Sequence, residues 1–167
     1  CHGRLGKAVF DHGGTIDKYI GDAIMATFGT PRAGDRDAAN AVDCAHAMAA
    51  AIAAWNGERA ARGLPLVEIG IGLHYGPAVL GDIGGEGRLE YTVIGDTVNV
   101  ASRLDGATRA LGAEIVISDA LARRACAEDG DAVLDGFVAG EPQTLRNRAA
   151  PLDIWIRPRP QDRLTEA

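Results

Sequence analysis

The 167-residue chain has no apolar run of about 18 residues and no charged leader followed by an apolar stretch, so neither a membrane span nor an export signal is expected in it. It also lacks a basic excess. Seventeen Lys and Arg stand against 23 Asp and Glu, a formal charge of −6, which argues against a groove that tracks nucleic-acid phosphates. An anionic ligand would have to be held by a few local cations. Cys1, Cys44 and Cys126 are odd in number, widely spaced and without a CxxC pattern. That fits idle thiols in a reducing cytoplasm better than a disulfide framework or a cysteine zinc site. No internal repeat or low-complexity segment occurs, and the length suits one domain with its own core.

The apolar pattern alternates between periods. Residues 4 to 12 read as a helix stopped by Gly13-Gly14, and 15–20 and 23–28 as two β-runs joined by Gly21-Asp22, a tight hairpin signal. Asp35 and Asp37 suit the start of a helix whose stripe is Val42, Ala45, Met48, Ile52 and Trp55. His46 lies in that helix with no partner spaced for metal binding, so it reads as a packed histidine. Strands are expected over 67–73, 78–83, 89–94 and 114–117, helices over 97–111 and from the Ser118 cap through Ala127. Leu145 and the alternating Leu152, Ile154 and Ile156 suggest a closing strand pair. Helices separate the strands without the regular repeat of a doubly wound fold, so the expected class is α+β.

Within Glu90 to Arg103 a short apolar strand runs through Gly95 into a helix that carries Asn99 and Arg103 four residues apart, on one helical face. An amide that donates or accepts, beside a planar fork of donors, suits an anionic, oxygen-rich ligand above the strand end. The turn also aims backbone N–H groups there.

Three ordered blocks, Lys18-Tyr19-Ile20-Gly21-Asp22-Ala23-Ile24-Met25-Ala26-Thr27-Phe28-Gly29, Ile69 to Gly84, and Glu90 to Arg103, resemble the class III nucleotidyl cyclase catalytic domain, the adenylyl and guanylyl cyclase family. The resemblance covers about residues 14 to 110 and implies a ferredoxin-like βαββαβ-type fold, with helices on a mostly antiparallel sheet. It makes residues 1–159 the catalytic domain and 160–167 a polar tail. It assigns Asp22 to one of two aspartates that hold a pair of divalent ions, Mg²⁺ or Mn²⁺, against the triphosphate and the ribose 3′-hydroxyl. Lys18 and Thr92 fall at the base-recognition positions. A lysine ammonium can donate to adenine N1, and a threonine hydroxyl can accept from the 6-amino group, where guanine has a carbonyl. Asn99 and Arg103 match the pair that orients the ribose and stabilises charge on the α-phosphate. Arg146 or Arg148 would hold the outer phosphates.

The implied activity is conversion of ATP to 3′,5′-cyclic AMP and pyrophosphate in a cytoplasmic head-to-tail homodimer, with Asp22 of one chain facing Lys18, Thr92, Asn99 and Arg103 of the other. A fused or associated regulatory domain is an expected partner; nucleic acid and membrane are not. Threonine at 92 is similar to the subclass that includes bicarbonate-responsive cyclases, but Pro77 stands where many relatives carry an arginine. One departure matters more. The family's other metal aspartate lies on an earlier strand, in a Phe-x-Asp-x-x-Gly block that these residues do not contain; Asp11 and Asp17 follow no apolar strand and precede no such glycine turn. Either that first strand lies upstream of Cys1, or the domain is an inactive nucleotide-binding or dimerisation module. Guanylyl cyclase activity is disfavoured by Lys18, and diguanylate cyclase activity by the missing Gly-Gly-Asp/Glu-Glu-Phe signature.

Overall fold

The computed structural model describes residues 2–83, 90–145 and 150–160. Helix α1 (His2–Asp11) leads into a hairpin of β1 (Thr15–Ile20) and β2 (Ala23–Thr27), followed by the long helix α2 (Asp37–Ala60). Then come β3 (Ile71–Leu73), the ribbon of β4 (Val79–Ile83) and β5 (Glu90–Ile94), α3 (Asp96–Ala107), β6 (Ala113–Ser118) and α4 (Asp119–Asp129). A 3₁₀ turn (Asp131–Leu134), β7 (Val138–Ala139) and β8 (Ile154–Pro158) are the last of the described elements. One sheet has the order β3-β6-β8-β7, and β1-β2 and β4-β5 are separate two-stranded ribbons. The β3–β6 pair is parallel and the other described pairings are antiparallel, so the class is α+β, as expected.

Strand β6 organises the interior because it is apolar on both faces. Ile115 and Ile117 pack with α2 and α4 on one side, while Ala113 and Val116 pack with Val100 and Leu104 of α3 on the other. A register shift between Ala113 and Ile115 lets two residues of the same parity join opposite cores. Against the first face, α2 presents Ala38, Ala45 and Ala49 with Val42; side chains this small let the helix axis approach the sheet closely. Its first turn has no side-chain cap of its own. Instead the buried Glu128 carboxylate of α4 accepts from the Ala39 N–H at 2.9 Å while Arg124 Nε donates to its other oxygen at 2.8 Å. A carboxylate at a helix N-terminus satisfies an orphan donor and meets the favourable end of the dipole.

Three local expectations are corrected. β3 is three residues long, not seven, because the Asn56 side chain takes both backbone groups of Val67, donating to its carbonyl and accepting from its N–H, each at 2.8 Å. α3 ends at Ala107 rather than 111; the Thr108 hydroxyl donates to the Asp105 carbonyl at 2.7 Å and competes with the helical ladder. The closing strand β8 pairs with β6 and with the short β7, and Leu152 bridges Gln143 rather than Leu145.

His46 is half-buried in α2, its Nδ1 accepting from Arg157 Nη1 at 2.6 Å and its ring edge-on to Phe137. Burial first, and the Arg157 charge second, hold its pKa below the ordinary 6.5, against weaker opposite pulls from the Val133 backbone, Asp43 and Glu114. The unfolded chain therefore binds a proton that the folded chain resists, so stability falls as pH drops below about 6.5 and the loss levels off below the folded pKa. We expect His46→Asn, which keeps an acceptor near Nδ1, to flatten the dependence of the urea midpoint between pH 7.5 and 5.5. Identical slopes for the two proteins would refute this account.

Candidate functional site

The hairpin ladder breaks at one place. Ile16 pairs with Ala26 and Lys18 with Met25, leaving Asp17 as the extra residue of a bulge. A bulge re-aims a side chain that strict alternation would send elsewhere. Here it turns the Asp17 carboxylate towards β5, where Oδ2 accepts from the Thr92 hydroxyl at 2.8 Å and Oδ1 from the Val93 N–H at 3.3 Å. Lys18 Nζ lies 3.5 Å from the same Oδ2. Thr92 is buried at 4 % exposure and the Asp17 side chain at 7 %, whereas the Lys18 side chain is 37 % exposed. The structure thus gathers Lys18 and Thr92, distant in sequence, around one carboxylate oxygen. The sequence placed Asp17 only as a poor substitute for the missing metal aspartate, not as a partner of Thr92. Its signal was an acidic residue inside a β-run, beside the lysine already singled out.

Helix α3 is launched by Gly95, whose φ of 149° and ψ of 168° lie in a region that an L side chain rarely occupies. Thr97 secures the turn by donating to the Pro77 carbonyl at 2.5 Å. Asn99 is exposed and Arg103 half-buried, one turn apart on this helix. The helix sits directly on β3: a Cβ at Gly72 would lie 2.1 Å from the Asp105 backbone nitrogen and 2.4 Å from the Ala101 carbonyl oxygen. Glycine at 72 is therefore a condition for where Asn99 and Arg103 stand, and it too was not singled out from the sequence.

Asp22 is exposed at the hairpin tip, where the His2 ring Nε2 donates to its carbonyl at 2.9 Å. Among the described residues no group of three or more His, Cys, Asp or Glu side chains could hold a metal. Asp17, the nearest acidic residue in sequence, is engaged with β5. One exposed carboxylate suits a single Mg²⁺ shared with substrate phosphates, since that ion keeps several waters, but it does not fit the expected pair of ions. Arg146 and Arg148 lie outside the described residues.

Residues 10–130 match the family model of the adenylate and guanylate cyclase catalytic domain. The chain belongs to this family. It is 45 % identical over 123 residues to an adenylate cyclase of Anabaena cylindrica and 41 % identical over 115 residues to adenylate cyclase 1 of Rhizobium meliloti, covering 71 % and 69 % of this chain. Those matches span 24 % and 17 % of the two relatives, so the chain corresponds to a quarter or less of their length. The fold of this cyclase domain is similar to that of the guanylyl cyclase Cya2, with a TM-score of 0.75 and 33 % identity over 93 % of this chain and 75 % of that one. It is equally similar to the adenylyl cyclase CyaB of P. aeruginosa, with a TM-score of 0.77 and 28 % identity over 96 % and 79 %. Relatives named for either base stand at comparable structural distance, so overall likeness leaves the choice of base to individual side chains.

The two described thiols are quiet. Burial pushes the Cys44 thiol up to about 11 and also raises that of Cys126, and no described helix is long and apolar enough to cross a membrane.

The close approach of β3 to α3 gives a direct test. Because the obstructing atoms at Gly72 are backbone, Gly72→Ala should cost about 1–3 kcal/mol of stability, as overpacking does, read as a lowered denaturation midpoint. Wild-type stability of this variant would show that α3 is not seated as described.

Proposed function

We propose that the chain is the catalytic domain of an adenylate cyclase, which converts ATP to 3′,5′-cyclic AMP and pyrophosphate at a composite site between two copies. The observation that carries the choice of base is the gathering of Lys18 and Thr92 around Asp17, a donor and a potential acceptor side by side, as the N1 and 6-amino edge of adenine requires. The relatives named as adenylate cyclases support it.

In this reading Lys18 donates to N1 and Thr92 accepts from the 6-amino group. The ribose 3′-oxygen then attacks the α-phosphorus, its proton passes to water, and the bond to the pyrophosphate oxygen breaks, releasing pyrophosphate. Asn99 holds the ribose so that the 3′-oxygen is in line with that bond, and Arg103 donates to the α-phosphate oxygens as negative charge grows on them. Asp22 is a cation ligand supplied by the opposite chain. A bound divalent cation would neutralise the triphosphate. Arg146 or Arg148 remains the proposed contact to the outer phosphates, and a regulatory domain a proposed partner. A module that binds nucleotide without turnover is the second reading, favoured by the single metal carboxylate.

We expect the complete catalytic domain to use ATP over GTP by on the order of 10²-fold in kcat/KM. Comparable values for the two nucleotides would remove the base assignment, and no cyclic product from either would favour the silent module. Asp22→Ala and Arg103→Ala should each lose activity by on the order of 10²-fold or more. Mixed under conditions of verified subunit exchange, they should regain part of it, because a mixed dimer keeps one intact site. Activity that stays at the level of either single variant would rule out a site shared between chains.

A further inference from the structure

The geometry points to Asp17 as the residue that sets base specificity, by fixing which way the Thr92 hydroxyl faces; this rests on the reading of Lys18 and Thr92 as base contacts. A threonine hydroxyl by itself does not distinguish adenine from guanine, because it can donate to a 6-carbonyl as readily as it accepts from a 6-amino group. Its direction must be imposed. A carboxylate only accepts, and Asp17 Oδ2 accepts the hydrogen bond that the Thr92 hydroxyl donates at 2.8 Å in a buried setting. The hydroxyl then has only lone pairs left for the ligand, and these match an amino group and repel a carbonyl. Asp17 cannot easily turn away, since its other oxygen accepts from the Val93 N–H at 3.3 Å and the β1 bulge presents it to β5. It is a positioning residue, acting on the base through Thr92.

Asp17→Asn tests this because the Val93 N–H can only donate. It therefore holds the new amide by its oxygen, which turns the amide NH₂ towards Thr92. The hydroxyl must then accept from Asn and point its proton at the base. We would measure kcat/KM of the complete catalytic domain for ATP, GTP and purine riboside 5′-triphosphate, which keeps adenine's N1 but has no 6-substituent.

The expected result is that Asp17→Asn lowers the ATP-to-GTP ratio by about tenfold or more, the worth of one hydrogen bond reversed, while the purine riboside nucleotide changes by no more than about twofold. In a Thr92→Val background Asp17→Asn should leave the ratio within about twofold, as coupled residues require. Equal loss for all three nucleotides, or an unchanged ratio, would overturn the proposal, the former marking Asp17 as a purely structural residue. A fall with the purine riboside nucleotide alone matching that of ATP would also overturn it, by tracing the effect to Lys18 and N1. If Thr92→Val leaves the wild-type ratio intact, the base-contact reading itself fails, and that outcome is distinct from the others. Should Asp17→Asn not fold, Asp17→Ser, whose hydroxyl can also donate to Thr92, carries the same expectations.

Discussion

The β1-β2 hairpin and the β4-β5 ribbon share no described backbone ladder, so side chains must hold them in register, and the Asp17 carboxylate is placed to do so. It reaches from β1 to the hydroxyl of Thr92 and the N–H of Val93 on β5. A carboxylate taken out of water is costly unless its lone pairs are met. Two hydrogen bonds and the nearby Lys18 ammonium offset that cost, and bonds to a charged acceptor are the stronger kind. The link makes the hairpin's position and the direction of a site hydroxyl one and the same constraint.

Small residues set the other half of the site. β3 and α3 meet at Gly72 with no room for a methyl group, and the alanines of α2 let a 24-residue helix lie close to β6 and α4. In both places the absence of a side chain fixes a distance between backbones. The helix that carries Asn99 and Arg103 is thus located by volume at Gly72 on the neighbouring strand. The core on either side of β6 resists adjustment, because close-packed interiors transmit a displacement rather than absorb it.

Much of this was legible along the chain. The hairpin with its Gly21-Asp22 tip, the long alanine-rich helix, the Ser118 cap, seen accepting from Leu121 N–H at 3.3 Å, and the Gly95 turn all follow from local rules. They depend on φ, on periodicity and on groups a few residues apart, and those are written in order. The short β3, the early end of α3 and the partners of β8 departed from expectation for a different reason. At β3, for example, Asn56 claims the backbone of Val67 from eleven residues away, and no window of strand propensity contains that competitor.

At the candidate site the four-residue spacing of Asn99 and Arg103 was visible in the sequence itself, whereas Lys18, Asp22 and Thr92 stood out by their places in the family's motifs, on which their proposed roles rest. The relations of these residues to one another were not visible there. That Asp17 leaves the alternation of its strand, that its carboxylate meets Thr92 75 residues away, and that Glu128 rather than a local residue satisfies the first turn of α2 are facts of packing. Spacing along a chain fixes what a side chain can do; which partner claims its proton depends on where two distant backbones come to rest, and only the folded molecule sets that distance.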